Sequence, residues 1–391
     1  MKHYEYGYII AKENEIVSEN DITKMNQTVK ENLSRYSKYD PDASFISQSA
    51  PLYANRIRTW EVLGEEPECE VLYLGEGIEY FSFSCTDKIK KIYIPSSVKE
   101  IRKSISSDSK ISELSNIYFE VSGTNPYYAS ENGSLYSKDF SKIIHFYSES
   151  ETKINSKCNE ISKMCGLIVT PEIDLNSIKI LRKKSLVYIG TEDFQIPKNV
   201  ELLDDDFLIY TKTNKVILPK SVKYVGDVKN YYFTVEKENK YFSSDINGYL
   251  YSANGKTFLQ GKSDGTLKVN NGCEEIFLSM CECVSLELPE TVNKITGIQT
   301  WTIKYIVNQN NKYFSVFENS LYTKDFSELV SLHVDSIVHI HPDCKKVRPG
   351  ALGKSDGFGN NRIQFEKFEK INFPDCLKND EEFKRIMKYI V

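Results

Sequence analysis

Ile92-Tyr-Ile-Pro95-Ser-Ser-Val98-Lys-Glu-Ile101 is one copy of a frame that recurs along the chain and decides its fold. Two apolar residues stand two apart, Pro follows, and further apolar residues come three and six positions beyond it. Apolar residues two apart project from one face of a short strand. Pro ends that strand, because it has no N–H to give to a ladder. The later apolar pair comes round the bend and faces the same core. Phe194-Gln-Ile-Pro197-Lys-Asn-Val200-Glu-Leu-Leu203, Val216-Ile-Leu-Pro219-Lys-Ser-Val222-Lys-Tyr-Val225 and Leu286-Glu-Leu-Pro289-Glu-Thr-Val292-Asn-Lys-Ile295 repeat it in full. One unit cannot bury its apolar side alone. Stacked units share a continuous core, so the frame predicts a repeat solenoid.

Other copies change the Pro slot. Leu72-Tyr-Leu-Gly75-Glu-Gly-Ile78 has Gly there. Thr152-Lys-Ile-Asn155-Ser-Lys-Cys158-Asn-Glu-Ile161 and Leu267-Lys-Val-Asn270-Asn-Gly-Cys273-Glu-Glu-Ile276 have Asn. Val338-His-Ile-His341-Pro-Asp-Cys344-Lys-Lys-Val347 has His, and Ile371-Asn-Phe-Pro374-Asp-Cys-Leu377 closes the series. Spacing degenerates between 162 and 193, where Leu167-Ile-Val169 and Leu186-Val-Tyr-Ile189 read as extra strands.

A longer repeat is interleaved with the frame. Asn125-Pro-Tyr-Tyr128 leads to Asn132-Gly-Ser-Leu135-Tyr136-Ser-Lys-Asp139. Asn239-Lys-Tyr-Phe242 leads likewise to Asn247-Gly-Tyr-Leu250-Tyr251-Ser-Ala-Asn254. Asn311-Lys-Tyr-Phe314 leads to Asn319-Ser-Leu321-Tyr322-Thr-Lys-Asp325. From each Leu of the Leu-Tyr pair to the next Pro slot is 20 residues, 135 to 155, 250 to 270 and 321 to 341. Asn-Gly before an apolar pair is a tight-turn signal, so each copy reads as a β-hairpin inserted into a solenoid turn. The strands Phe119-Glu-Val121, Phe233-Thr-Val235 and Tyr305-Ile-Val307 precede them.

Frame and insertion together resemble the BspA-like leucine-rich repeat family over roughly residues 69–377. The resemblance implies a leucine-rich-repeat fold of short, mainly parallel strands with irregular or helical connections, about a dozen turns in all. It also implies surface-exposed or adhesive roles in host-associated microbes. The expected organisation is a non-repeat N-terminal segment over 1–65 and a solenoid over 66–378. Hairpin insertions fall at about 125–146, 239–260 and 311–332, and a capping helix at 379–391. Asn20 is placed to cap a helix carrying Ile22, Met25, Val29 and Leu33 on one face. Asp380 is placed to cap one carrying Phe383, Ile386, Met387 and Ile390. Solenoids need their end layers covered, so both helices read as caps. A partner-recruiting helix is the rival reading.

Composition narrows the classes. The 391 residues carry 50 Lys+Arg against 55 Asp+Glu, a net charge of −5, with 40% apolar residues. That composition is globular and excludes disorder, and the small acidic balance points away from nucleic acid. No stretch approaches the ~20 apolar residues of a membrane span. The first residues lack an apolar signal region, and the nine cysteines are scattered without a CxxC. These features point to the cytoplasm, while the family resemblance points to the cell surface or secretion.

Each chemical candidate meets a simpler explanation. Cys158, Cys273 and Cys344 occupy the position that Val98, Val200, Val222 and Val292 take elsewhere, so they read as core. Cys281 and Cys283 offer a soft metal only two ligands. His339 and His341, with Asp343 near, are the best metal candidates, because i and i+2 of a strand share a face. Against that, His341 fills the Pro slot and His339 reads as an ordinary exposed residue. The Gly-rich run 350–359 lacks phosphate-loop spacing and reads as a surface loop. No catalytic motif is present, and no cofactor, metal site or enzymatic role is expected. Many of the 26 Tyr lie in the insertions, where strand packing favours them.

The residue between the paired apolar positions of each frame must point outward. In chain order these are Tyr73, Tyr93, Glu120, Lys153, Gln195, Ile217, Thr234, Lys268, Glu287, Ile306, His339 and Asn372. They are expected to form one continuous sheet surface of mixed character, which suits a protein partner. The expected function is a non-enzymatic protein-binding scaffold, adhesin-like by resemblance. The alternative is a carbohydrate-binding or carbohydrate-active protein, with Tyr93 and Glu120 as stacking and acid groups.

Overall fold

The computed structural model describes residues 7–36, 38, 55–58, 70–84, 89–104, 116–148, 153–210, 212, 214–227, 231–297, 303–333, 337–351 and 370–387. The chain forms two compact units, Met1–Thr191 with Pro197–Lys212 and Tyr224–Gly226, and Glu192–Ile196 with Thr213–Lys223 and Asp227–Val391.

In the first unit, β1 (Tyr8–Ala11) precedes helix α1 (Glu19–Arg35). The frame strands follow as β2 (Val71–Leu74), β3 (Lys91–Ile94) and β4 (Tyr118–Val121). β1 lies antiparallel to β2, while β2, β3 and β4 run parallel. A second parallel ladder joins Arg56–Arg58, Tyr80–Ser84 and Glu100–Ser104. Each frame therefore contributes to two ladders: Ile92 and Ile94 come from one and Ile101 from the other. Between them Leu72, Ile92, Val98 and Phe119 are fully buried. Each such side chain contributes about 1.5–3 kcal/mol on burial.

The degenerate stretch 162–193 keeps this arrangement. Ile161 pairs with Leu181 and Leu181 with Leu203. Leu167 pairs with Leu186 and Leu186 with Leu208. In the second unit Phe194 pairs with Val216 and Val216 with Phe233. Leu267, Leu286 and Tyr305 form another parallel row, and Val338 pairs with Ile371.

The insertions are three-stranded rather than two-stranded. Tyr128–Glu131, Ser134–Ser137 and Lys142–His145 form an antiparallel meander, and its third strand then pairs in parallel with Glu160–Ile161. Phe242–Ser244, Leu250–Ser252 and Thr257–Lys262 repeat this, as do Phe314–Phe317, Ser320–Thr323 and Glu328–Ser331. The third strand carries the apolar face of a solenoid strand, with Ile143, Phe258 and Leu329 fully buried, so it closes the excursion by rejoining the stack.

Two kinds of buried polar bond hold each meander. The Asn125 side chain donates to the carbonyls of Pro95 (2.7 Å) and Val98 (3.1 Å) and accepts from the N–H groups of Tyr127 and Tyr128 (both 2.8 Å). Asn239 and Asn311 make the same four bonds to their own turns. A buried amide with two donors and two acceptors used is fully satisfied. Then Tyr136, Tyr251 and Tyr322, buried to 2% exposure or less, accept the backbone N–H of Asn155, Asn270 and His341.

The helix α1 is capped by Ser18, not by Asn20. Ser18 and Asp21 bond reciprocally across the first turn, a capping box that Asn20 has no partner to make. Met25 and Val29 are buried and Ile22 and Leu33 half-buried, as the stripe predicts. At the other end Asp380 accepts the Phe383 N–H at 2.9 Å at the start of helix α2 (Glu381–Met387), and Phe383 is buried. Ile390 lies outside the described residues, as does the Gly-rich run beyond Ala351.

Candidate binding groove

The twelve outward residues fall into separate ladders rather than one sheet. Tyr73, Tyr93 and Glu120 are direct cross-strand neighbours on β2, β3 and β4. Gln195, Ile217 and Thr234 form a second row, Lys268, Glu287 and Ile306 a third, and His339 and Asn372 a fourth. Lys153 is exposed but lies on no strand. The division has a physical cause. The strand before an insertion is closed by the meander: Gly133 accepts the Phe119 N–H at 2.8 Å, and the Ser130 hydroxyl accepts the Val121 N–H at 2.9 Å. None of the twelve side chains is buried.

The first row has the most structure. The Tyr73 and Tyr93 rings stack at 4.1 Å and 5°. Burial, then the contact with Tyr93, pushes the Tyr73 phenol up to about 12. The Lys91 ammonium lies 4.5 Å from the Tyr93 ring centre and 4.9 Å from that of Tyr118, and 2.8 Å from the Glu120 carboxylate. Burial opposes that charge, but Glu120 and Tyr93 outweigh it and hold the Lys91 pKa above the ordinary lysine value. Tyr147 meets Tyr118 edge-on at 5.3 Å. Gly133 sits against this pair; a Cβ there would come within 2.5 Å of Tyr118 and 2.8 Å of Tyr147.

Two clefts share Tyr73 and Tyr93 as a common wall. One, of about 570 Å³, is lined by Lys91, Asn116, Tyr118 and Tyr147 with Glu13 and Glu15. The other, of about 410 Å³, has Glu120, Glu76 and Pro95 on its floor and Ile22, Met25 and Asn26 of α1 on its bank. Together they make a groove along the strand direction of β2, β3 and β4.

Across the repeats, Leu267 pairs with Leu286 and Leu286 with Tyr305, 19 residues apart each time. Parallel strands recurring at a constant interval, with the frame's apolar residues inside, are a stack of repeats. The chain is a β-solenoid of stacked repeats. No protein-family model matches the chain, and no curated protein does. Among solved structures, a leucine-rich repeat protein from Eubacterium ventriosum is similar at 11% identity, covering 78% of this chain and 80% of that one with a TM-score of 0.37. A leucine rich cell surface protein from Faecalibacterium prausnitzii is similar at 12% identity, covering 82% and 86%, with a TM-score of 0.32. The pneumococcal vaccine antigen PcpA is similar at 11% identity, covering 64% and 71%, with a TM-score of 0.26.

Most of the remaining candidates of this solenoid serve packing. Cys158, Cys273 and Cys344 are fully buried in the repeat core. Burial pushes the Cys158 and Cys273 thiols up to about 11. Cys281 is buried, and Cys283 packs against the same core with its thiol pushed up to about 12 by burial. His339 and His341 do not converge. His339 is exposed beside Asn372, whereas Phe326 stacks on the His341 ring at 4.1 Å and its Nδ1 accepts the Asp343 N–H. Among the described residues no group of three or more His, Cys, Asp or Glu could hold a metal ion.

The reading of one outward residue per frame missed Lys91, Asn116, Tyr118 and Tyr147. The signal for Lys91 and Tyr118 was present, because each stands two residues before Tyr93 or Glu120 and so shares its face. Asn116 and Tyr147 lie outside the frame and needed the turn's three-dimensional path.

Proposed function

We propose that this solenoid is a non-enzymatic protein-binding scaffold and that its partner lies in the groove over Tyr73, Tyr93 and Glu120. The observation that carries this is the orientation of the aromatic rings. Tyr73 covers one face of Tyr93 at 4.1 Å and the Lys91 ammonium lies over the ring as well. Tyr93 therefore offers its edge and phenol group. A sugar ring stacks on an open aromatic face, so this arrangement supports polypeptide over carbohydrate. Tyrosines held in place also bury much area at small entropic cost. The resemblance to BspA-like repeats adds an adhesin-like role to this reading.

The test compares wild type with the Tyr73→Ala, Tyr93→Ala double variant as bait, with partners identified by mass spectrometry. A partner retained by wild type and lost by the variant supports the reading. A thermal shift of wild type with oligosaccharides from a broad panel, absent in the variant, would replace it with the carbohydrate reading. Protease shaving of intact source cells tests the surface role: protection until lysis would remove it.

A further inference from the structure

We infer that the groove takes an extended, basic segment of a polypeptide, its Lys or Arg side chains directed at Glu15 and Glu76. This rests on the protein-binding reading above and adds the chemistry of the partner. The linings of the two clefts hold four carboxylates, Glu13, Glu15, Glu76 and Glu120, against two ammonium groups, Lys90 and Lys91. Both cations are already committed. Lys90 bridges Glu13 (2.9 Å) and Glu70 (3.2 Å), and Lys91 is held by Glu120. Glu15 and Glu76 have no ion-pair partner among the described residues; Glu76 accepts only from neutral Ser96 groups and Glu15 from the Lys12 backbone. The excess is two negative charges, one at each end of the groove.

Other features agree with a cationic chain. Asn116 lines the larger cleft, and its buried side-chain oxygen has no hydrogen-bond partner among the described residues. Tyr147 lines the same cleft, and aromatic rings attract ammonium and guanidinium groups. The groove follows the strands, a direction that suits an extended chain. An acidic chain would meet unpaired carboxylates at both ends, and like charges placed together act against binding.

The experiment uses the full chain and three fluorescein-labelled eight-residue peptides in which Ser alternates with Lys, Gly or Glu. Anisotropy is read at low and at physiological salt. The Lys peptide is expected to bind wild type and to lose at least fivefold in affinity on Glu15→Gln with Glu76→Gln. Both are surface side chains whose neutralisation leaves the core untouched. Asp264→Asn with Glu290→Gln, which changes net charge equally in the other unit, is expected to leave affinity within twofold. No binding of the Lys peptide, or equal loss in both double variants, overturns the inference. Binding of the Gly or Glu peptide that depends on Tyr73 and Tyr93 also overturns it, while leaving the protein-binding reading standing. If no peptide and no captured protein depends on that Tyr pair, both fall.

Discussion

The Tyr251 hydroxyl accepts the backbone N–H of Asn270 at 3.2 Å. Tyr136 does the same to Asn155 at 3.3 Å and Tyr322 to His341 at 3.2 Å. The three donors, Asn155, Asn270 and His341, stand at the frame position that Pro takes in the best copies. Pro has no N–H to give, so a turn that follows an insertion takes Asn or His there. The constant 20-residue spacing is the reach of that bond. We expect Tyr251→Phe to destabilise by about 1–2 kcal/mol, because the Asn270 N–H loses its acceptor and Asp245 loses the hydroxyl that donates to it. Adding Asn270→Pro removes the orphaned donor. A double-mutant cycle by urea unfolding should give a coupling of about 1 kcal/mol in favour of the pair. Strict additivity would show that the bond does not select the residue.

Asn311 is 1% exposed and makes four bonds that tie its meander to the preceding turn. Asn311→Ala leaves two carbonyls and two N–H groups without it, a loss of about 2–4 kcal/mol. Hydrogen exchange at the Tyr313 and Phe314 amides should accelerate first. Asn310→Ala, at an exposed neighbour, should stay within about 0.5 kcal/mol of wild type.

The buried thiols set an alkaline limit. Burial raises the Cys158 and Cys273 pKa to about 11 in the folded chain. The unfolded thiols ionise near their ordinary value, so the folded state binds more protons over the window above about pH 9. Stability should therefore fall as pH rises from about 9 towards 11. Cys158→Val with Cys273→Val, the residue other frames use there, should make that fall shallower and leave stability at pH 7 within about 1.5 kcal/mol. Native-state maleimide labelling should modify exposed Cys376 quickly and spare Cys158, Cys273 and Cys344. Rapid labelling of those three would mean the register is wrong.

The acid limit comes from the meander turns. Asp139 accepts from the Ser137 hydroxyl and from the Ser141 N–H and hydroxyl, which hold its pKa down to about 2; Asp325 does likewise with Thr323 and Ser327. A carboxylate with a depressed folded pKa adds stability above its unfolded value that is lost as pH falls through the folded one. Between about pH 4 and 2 these turns should loosen, seen as faster exchange at the Ser141 and Ser327 amides. Asp139→Asn should flatten that dependence, since the second copy already uses Asn254 in the same bonds.

Much of the architecture was legible because it rests on short-range periodicity. Ile92, Ile94 and Val98 are buried as the frame requires, and Cys158, Cys273 and Cys344 replace Val in the core. The cap of α1 was misplaced by two residues, because Ser18 and Asn20 both have capping side chains and only the reciprocal partner Asp21 separates them. The division of the outward row was not legible either. It depends on which strand each meander closes, and that follows from its return path.

The sequence by itself determined the solenoid, its insertions and the outward placement of Tyr73, Tyr93 and Glu120, since alternation on a strand and the stop at Pro act over a few residues. The tertiary structure alone decided that Lys91 sits between Tyr93 and Tyr118, that Asn116 and Tyr147 join them, and that α1 forms a bank of the groove. Most of those contacts link residues on different turns of the chain. They are set by how successive turns stack, a sum of packing choices over the whole core that no single stretch encodes.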